Sequence, residues 1–203
     1  MQNEIVGRLS AEPAGRPLIY LVPEQATFQA EYDLATRAPS GVLVQAQVLS
    51  FGRLAYRITQ ELGGRAKLPV DELGKQMVLR MLLEKQRDKL QVFQRASLQP
   101  GFTAQLARLI SECKRYGVDL DQLLEQDWSG GTLAQKLHDL HLLMTAYDAY
   151  LDGRYYDTDD MLTMVTQKIA SSAYVAQAEL WIDGFSGFTR QEYLLLQQLM
   201  RHA

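Results

Sequence analysis

Three short apolar runs, each leading into a stretch of helical periodicity, limit the folds open to this chain. They are Leu18 to Val22, Leu43 to Leu49 and Leu180 to Ile182. Strands that alternate with amphipathic helices predict βα units, and repeated βα units predict a parallel sheet covered by helices. The first run closes at Pro23, and Glu24 to Arg37 follows, with Ala26, Phe28, Ala30 and Leu34 sharing much of one helical face. The second leads to Ser50, whose hydroxyl suits a helix N-cap; Phe51, Leu54, Ile58 and Leu62 then recur at helical spacing until Gly63-Gly64.

From Arg65 to Ala178 the pattern is helical throughout, with no convincing strand. Asp71 to Gln86 carries Leu73, Met77, Leu79, Met81 and Leu82. Phe102 to Tyr116 carries Leu106, Leu109, Ile110 and Cys113 and stops at Gly117, a residue suited to a left-handed C-cap. Leu133 to Leu151 repeats the theme. A last helix, Thr158 to Ile169, turns Met161, Leu162 and Val165 inward and opens on Asp157, Asp159 and Asp160, where the helix dipole favours negative charge. The expected organisation is α/β: a partial parallel sheet in residues 1–64 and 179–203, carrying an all-α insertion in residues 65–178.

With 203 residues the chain can bury a sizeable core, either as a single folded unit or as a compact pair of units. No apolar run approaches the roughly 18 residues of a membrane span, and no secretory segment opens the chain. Cys113 is the sole cysteine, which excludes an internal disulfide and a multi-thiolate metal site. A cytoplasmic protein without a membrane partner is expected. The net charge of −3 supplies no basic field of the kind that nucleic-acid binders show, so any DNA contact must be local or shared with a partner.

The segment from Glu179 to Met200 has the outline of a nucleotide-hydrolysis strand. Leu180-Trp181-Ile182 ends in Asp183, the position from which such a strand delivers a carboxylate to Mg²⁺. The next residue should be the acid that orients the attacking water, and it is Gly184. No G-x-x-x-x-G-K-[ST] phosphate loop occurs; Gly74-Lys75-Gln76 lacks the upstream glycine and the hydroxyl, and Lys75 sits in a helical pattern. Asp183 is therefore open to two readings, a turn or cap residue and a residual Mg²⁺ ligand. His138 and His141 lie i, i+3 on a helix without a third ligand of suitable spacing, so no metal is assigned. Cys113 falls on an apolar stripe and reads as a buried thiol, while Arg108, Lys114 and Arg115 read as a solvated basic face.

Four segments together carry a family resemblance: LIYLVPEQATFQAEYDL, VLSFGRLAYRI, PGFTAQLARLISECKRYGVD and LWIDGFSGFTRQEYLLL. In this order they resemble the N-terminal part of the AddB family, the B subunits of bacterial AddAB helicase-nucleases that process double-strand DNA ends. The resemblance implies a degenerate superfamily 1 helicase domain. Pro23 to Phe28 lies where active members have motif Ia, with Pro23 in place of an aromatic residue. Ser50-Phe51-Gly52 resembles the Thr-Phe-His of motif Ib, with Gly52 in place of the DNA-contacting histidine. Tyr156 to Leu162 is similar to the acidic helix start before motif II. Asp183-Gly184-Phe185-Ser186 stands where active helicases have Asp-Glu-Phe-Gln, so the catalytic glutamate and the coupling glutamine are both replaced.

By this resemblance the chain is expected to be a fragment truncated at both ends, with the first strand and phosphate loop upstream and the iron–sulfur nuclease domain downstream. No catalytic residue is assigned, and the fragment alone is expected to be inactive. Gln25, Thr27, Phe28, Ser50, Phe51 and Arg53 are the implied DNA-contact candidates. The implied role is a non-motor helicase-like region for homologous recombination that helps hold or scan single-stranded DNA for the Chi signal, beside an AddA-type partner subunit. The alternatives are ATP and Mg²⁺ binding in the full-length subunit, with slow or structural turnover, and a structural module that docks the partner.

Overall fold

The computed structural model describes residues 1–12, 15–38, 45–63, 67–126, 128 and 131–203. They form two compact units, Met1–Gly64 with Met161–Ala203, and Arg65–Asp160. In chain order the first unit supplies α1 (Gln2–Ala11), β1 (Leu18–Leu21), a 3₁₀ turn at Glu24–Ala26, α2 (Thr27–Arg37), β2 (Ala46–Leu49) and α3 (Phe51–Leu62). The second unit follows with β3 (Leu68–Val70), α4 (Glu72–Lys85), α5 (Phe93–Ala96), α6 (Phe102–Tyr116), α7 (Leu120–Leu124), α8 (Thr132–Leu151) and β4 (Tyr155–Asp157). The chain then returns to the first unit through α9 (Met161–Lys168), α10 (Ala173–Ala176), β5 (Glu179–Ile182) and α11 (Arg190–His202).

The three apolar runs become one parallel sheet in the order β2-β1-β5. Leu18 pairs with Ala46 on one side and Glu179 on the other, and Leu21 with Leu49 and Ile182. β1 is central and buried on both faces, which explains its unbroken apolar sequence. Ile19 and Leu21 pack with Leu54, Ile58, Val165, Leu195 and Leu199, while Leu18, Tyr20 and Val22 pack with Ile5, Ala30 and Leu34. The start expected for the second strand, at Leu43 and Val44, lies outside the described residues.

Several expectations shift in phase. The 3₁₀ turn resets α2, so Thr27, Ala30 and Leu34 point inward and Phe28, one residue and about 100° further round the helix, is 78% exposed. In α4 the inward positions are Lys75, Leu79, Leu82 and Leu83, leaving Leu73, Met77 and Met81 in solvent. The inserted unit is not all-α. β3 and β4 pair in parallel, with Leu68 opposite Tyr155 and Val70 opposite Asp157. Three-residue strands containing Pro69 and Asp157 carry no period of their own, and a proline is tolerated where its missing N–H faces no partner.

The second unit boundary also differs from the one expected. It falls at Asp160, not Ala178, because Val165, Ile169, Val175 and Ala178 join the core beneath the sheet. The first expected boundary, at residues 64 and 65, lies outside the described residues. Thr158 to Asp160 forms a 3₁₀ turn rather than the first turn of α9, and Tyr156 and Asp157 belong to a strand.

Candidate functional site

The carboxyl ends of β1, β2 and β5 deliver Val22-Pro23, Ser50 and Asp183-Gly184 to one end of the sheet, where open α/β sheets place their ligands. A cleft of about 310 Å³ lies there, lined by Val22, Pro23, Glu24, Gln25, Ser50, Phe51, Gly52, Gly184, Phe185, Ser186, Gly187 and Glu192. The charged side chains in that lining, Glu24 and Glu192, are both acidic.

Each acid already has a structural task. Ser50 caps α3, its Oγ accepting from the Arg53 N–H at 3.3 Å, and the same hydroxyl donates to Glu24. Glu24 also lies 3.4 Å from the Arg53 guanidinium. The carboxylate therefore sits at the N-terminus of α3, the place where a helix dipole would otherwise attract a phosphate. At α11, Thr189 and Glu192 form a reciprocal capping box, with the Thr189 N–H donating to Glu192 Oε2 at 2.8 Å. The N-termini of α3 and α11 at the cleft are thus supplied with anionic oxygen by the chain itself.

Asp183 is held by the neighbouring strand. Its N–H donates to the Leu21 carbonyl at 3.0 Å, and its Oδ2 accepts from the Tyr20 hydroxyl at 3.0 Å. Burial, and then Asp183, pushes the Tyr20 phenol above its ordinary pKa, so it remains a donor. Gly184 has φ of 78°, and a Cβ there would meet Pro23 Cδ at 3.4 Å. Gly52 differs: a Cβ would find Ser50 Oγ at 3.9 Å and nothing closer. Among the described residues no group of three or more His, Cys, Asp or Glu side chains is placed to share a metal ion. Asp183 alone at the strand end is a poor fit to a Mg²⁺ site, since Gly184 adds no carboxylate and Tyr20 occupies one of its oxygens.

The candidate contact residues divide by burial. Gln25, Phe28 and Arg53 are exposed. Thr27 is buried and donates to the Glu24 carbonyl at 2.8 Å. Phe51 is buried with its ring 5.4 Å from Phe185 and 6.0 Å from Phe188, which ties α3 to the loop after β5. Ser50 is buried but still lines the cleft. The outward face of α3 continues from Arg53 to Tyr56 and Arg57, the latter stacked 4.0 Å over Tyr174. That i, i+3, i+4 spacing is legible in the sequence, whereas Glu24 and Tyr20 had no local signal.

With the cleft assembled from the same segments that suggested a lineage, similarity over the full chain decides the family. A profile described as "ADDB, N-terminal" matches residues 1–203. The chain belongs to the AddB N-terminal family. Relatives include the B subunit of the ATP-dependent helicase/deoxyribonuclease of Heliobacterium modesticaldum, 48% identical over 98% of this chain and 17% of its own length. Proteins of the same name from Desulforamulus reducens and Bacillus pumilus are 45% and 38% identical, over 98% and 99% of this chain and 18% of theirs. The chain thus spans under a fifth of the relatives it matches.

The second unit of this AddB N-terminal region holds the remaining candidate side chains, Lys75, Arg108, Cys113, Lys114, Arg115, His138 and His141. Lys75 is buried, donating to Ser111 Oγ at 2.9 Å and pairing with Asp157 at 3.1 Å and with Asp159. Lys114 is not a solvated cation; it lies 2.7 Å from Asp160, 3.1 Å from Asp148 and 3.2 Å from Asp157, the last an ion-pair contact without hydrogen-bond geometry. Burial opposes the Lys114 charge, but Asp160, Asp157 and Asp148 outweigh it and raise its pKa. Arg115 pairs with Asp159 at 3.1 Å, and Arg108 remains exposed. His141 contacts Asp121 at 2.8 Å, and His138 lies 3.4 Å from Asp139. Cys113 is buried, and burial pushes its thiol up. No helix among the described residues is long and apolar enough to cross a membrane.

Proposed function

We propose that this region serves, within a full-length helicase-nuclease subunit of double-strand break repair, as a non-motor surface that holds and scans single-stranded DNA. The observation that carries the proposal is the exposed ring of Phe28, beside Gln25 and one helical turn from Glu24, whose carboxylate holds Arg53. An aromatic face stacks bases of any sequence, and an arginine beside it contacts the phosphate backbone. The outward Tyr56 and Arg57 extend the same chemistry along α3. The names of the relatives support the setting, since each is a helicase/deoxyribonuclease subunit.

The nucleotide-binding alternative draws less support from the cleft. A triphosphate needs free N–H groups and cations, and here Glu24 and Glu192 occupy the starts of α3 and α11. Fluorescence anisotropy of the assembled full-length complex with single-stranded DNA, at two salt concentrations, tests the proposal. Phe28→Ala is expected to weaken binding by about 1–3 kcal/mol at both salts. Arg53→Gln should reduce the salt slope by about 0.7, the loss of one phosphate contact on a single strand. Wild-type affinity and slope in both variants would remove the proposal.

A further inference from the structure

The helical unit contains an apolar groove that the strand-end cleft does not use. A cavity of about 550 Å³ lies between α6 and α8 and is walled also by α5 and α7. Its floor is ordinary core: Leu106, Cys113 and Leu140 are buried. Its mouth is not, because Leu109 is 40% exposed, Val118 38% and Leu133 49%. A cavity of this volume matches small-ligand pockets. A small molecule seated on the floor would nevertheless leave three large apolar side chains at the mouth in water. Covering floor and mouth together requires a longer apolar body, and exposed apolar surface with a polar rim marks a protein-docking site.

Charge indicates the chemistry of that body. Lys136 lines the groove beside Leu137, and exposed Arg108 adjoins Leu109 on the opposite helix. Neither cation has an ion-pair partner among the described residues, and none of the described residues that line the groove carries a carboxylate. We infer that the groove seats a helix of the partner subunit, with Leu- or Phe-type anchors toward Leu109 and Leu133 and acidic residues toward Arg108 and Lys136. The relatives are named as B subunits, so a partner polypeptide is the expected occupant. This assignment needs no DNA contact, so it and the strand-holding proposal stand or fall separately.

The test uses the full-length subunit and its partner subunit, with association measured by analytical ultracentrifugation. Leu133→Glu and Lys136→Glu both change exposed positions on α8. Each is expected to weaken association by ~10-fold or more, equal to about 1.4 kcal/mol, with melting temperature unchanged. The Lys136→Glu loss should shrink as salt rises, because exposed ion pairs are screened. In the wild type, alkylation of Cys113 should slow when the complex forms. If Leu133→Glu fails to fold, Lys136→Glu and Cys113 protection decide the matter. Unchanged association with Lys136→Glu and unchanged Cys113 reactivity would overturn the assignment. So would loss of self-association in these variants, which indicates a second copy, or a melting shift with sodium dodecanoate while assembly is unaffected, which indicates a small amphiphile.

Discussion

Gly184 and Gly52 look alike in the sequence as replacements of functional side chains, yet their conformations separate them. Gly184 adopts φ of 78°, the left-handed region that costs an L-residue about 1–2 kcal/mol. Gly52 sits in the first turn of α3, where a side chain meets open space beyond Ser50 Oγ. A Glu at position 184 therefore does not simply restore a water-orienting acid; it imposes backbone strain on the loop that carries Phe185. Gly184→Ala is expected to lower unfolding free energy by about 1–2 kcal/mol, and Gly52→Ala to change it by less than about 0.5 kcal/mol or to raise it, since alanine is the better helix former. Urea denaturation of the two variants checks the contrast, and equal losses would show that φ is not the cause.

At the scale of elements, two buried aspartates do the joining. Asp139 on α8 is fully buried and accepts from the Gln91, Val92 and Phe93 N–H groups at 2.8–3.0 Å, so it supplies the N-terminus of α5. Asp157 at the end of β4 accepts from the Asp159 N–H at 3.0 Å and pairs with Lys75 of α4 and Lys114 of α6. Removing one member of a buried ionic group strands the others, which typically costs about 3–5 kcal/mol. Asp157→Ala is expected to destabilise by that amount, measured by chemical denaturation, and a loss below about 1 kcal/mol would show that water solvates the two lysines. The helices α4, α6 and α8 were legible because each has its own period. The seat of Lys75 was not, because its partner Asp159 lies 84 residues away, with Asp157 beside it, and nothing local marks a lysine for burial.

The molecule as a whole carries a net charge of −3, and its pH response depends on a few groups rather than on that total. Burial alone would raise the Asp159 pKa, but Lys75, Ser111 and Arg115 lower it below the ordinary value. A carboxyl depressed in the folded state adds stability above its unfolded pKa of about 3.9 and loses it as pH falls through the folded value. Asp160 acts oppositely: burial, with Asp157 and Asp148, raises its pKa, so its protonation favours the fold. The part of the urea midpoint that Asp159 contributes is therefore expected to be lost below about pH 4, and Asp159→Asn should remove that part of the pH dependence. An identical slope in the variant would place the acid sensitivity elsewhere. Period and apolar content are local properties that survive without a partner, so the residues alone reveal the βα alternation, the parallel sheet and the spans of α3, α4, α6 and α8, but not α5, α7, α10 or the start of α9. Tertiary structure alone decided that Phe28 faces solvent while Thr27 does not, that Glu24 reaches across 26 residues to the cap of α3, and that β3 finds β4. Those outcomes depend on helix phase and on contacts between distant segments, and neither is written in the residues on either side of the site.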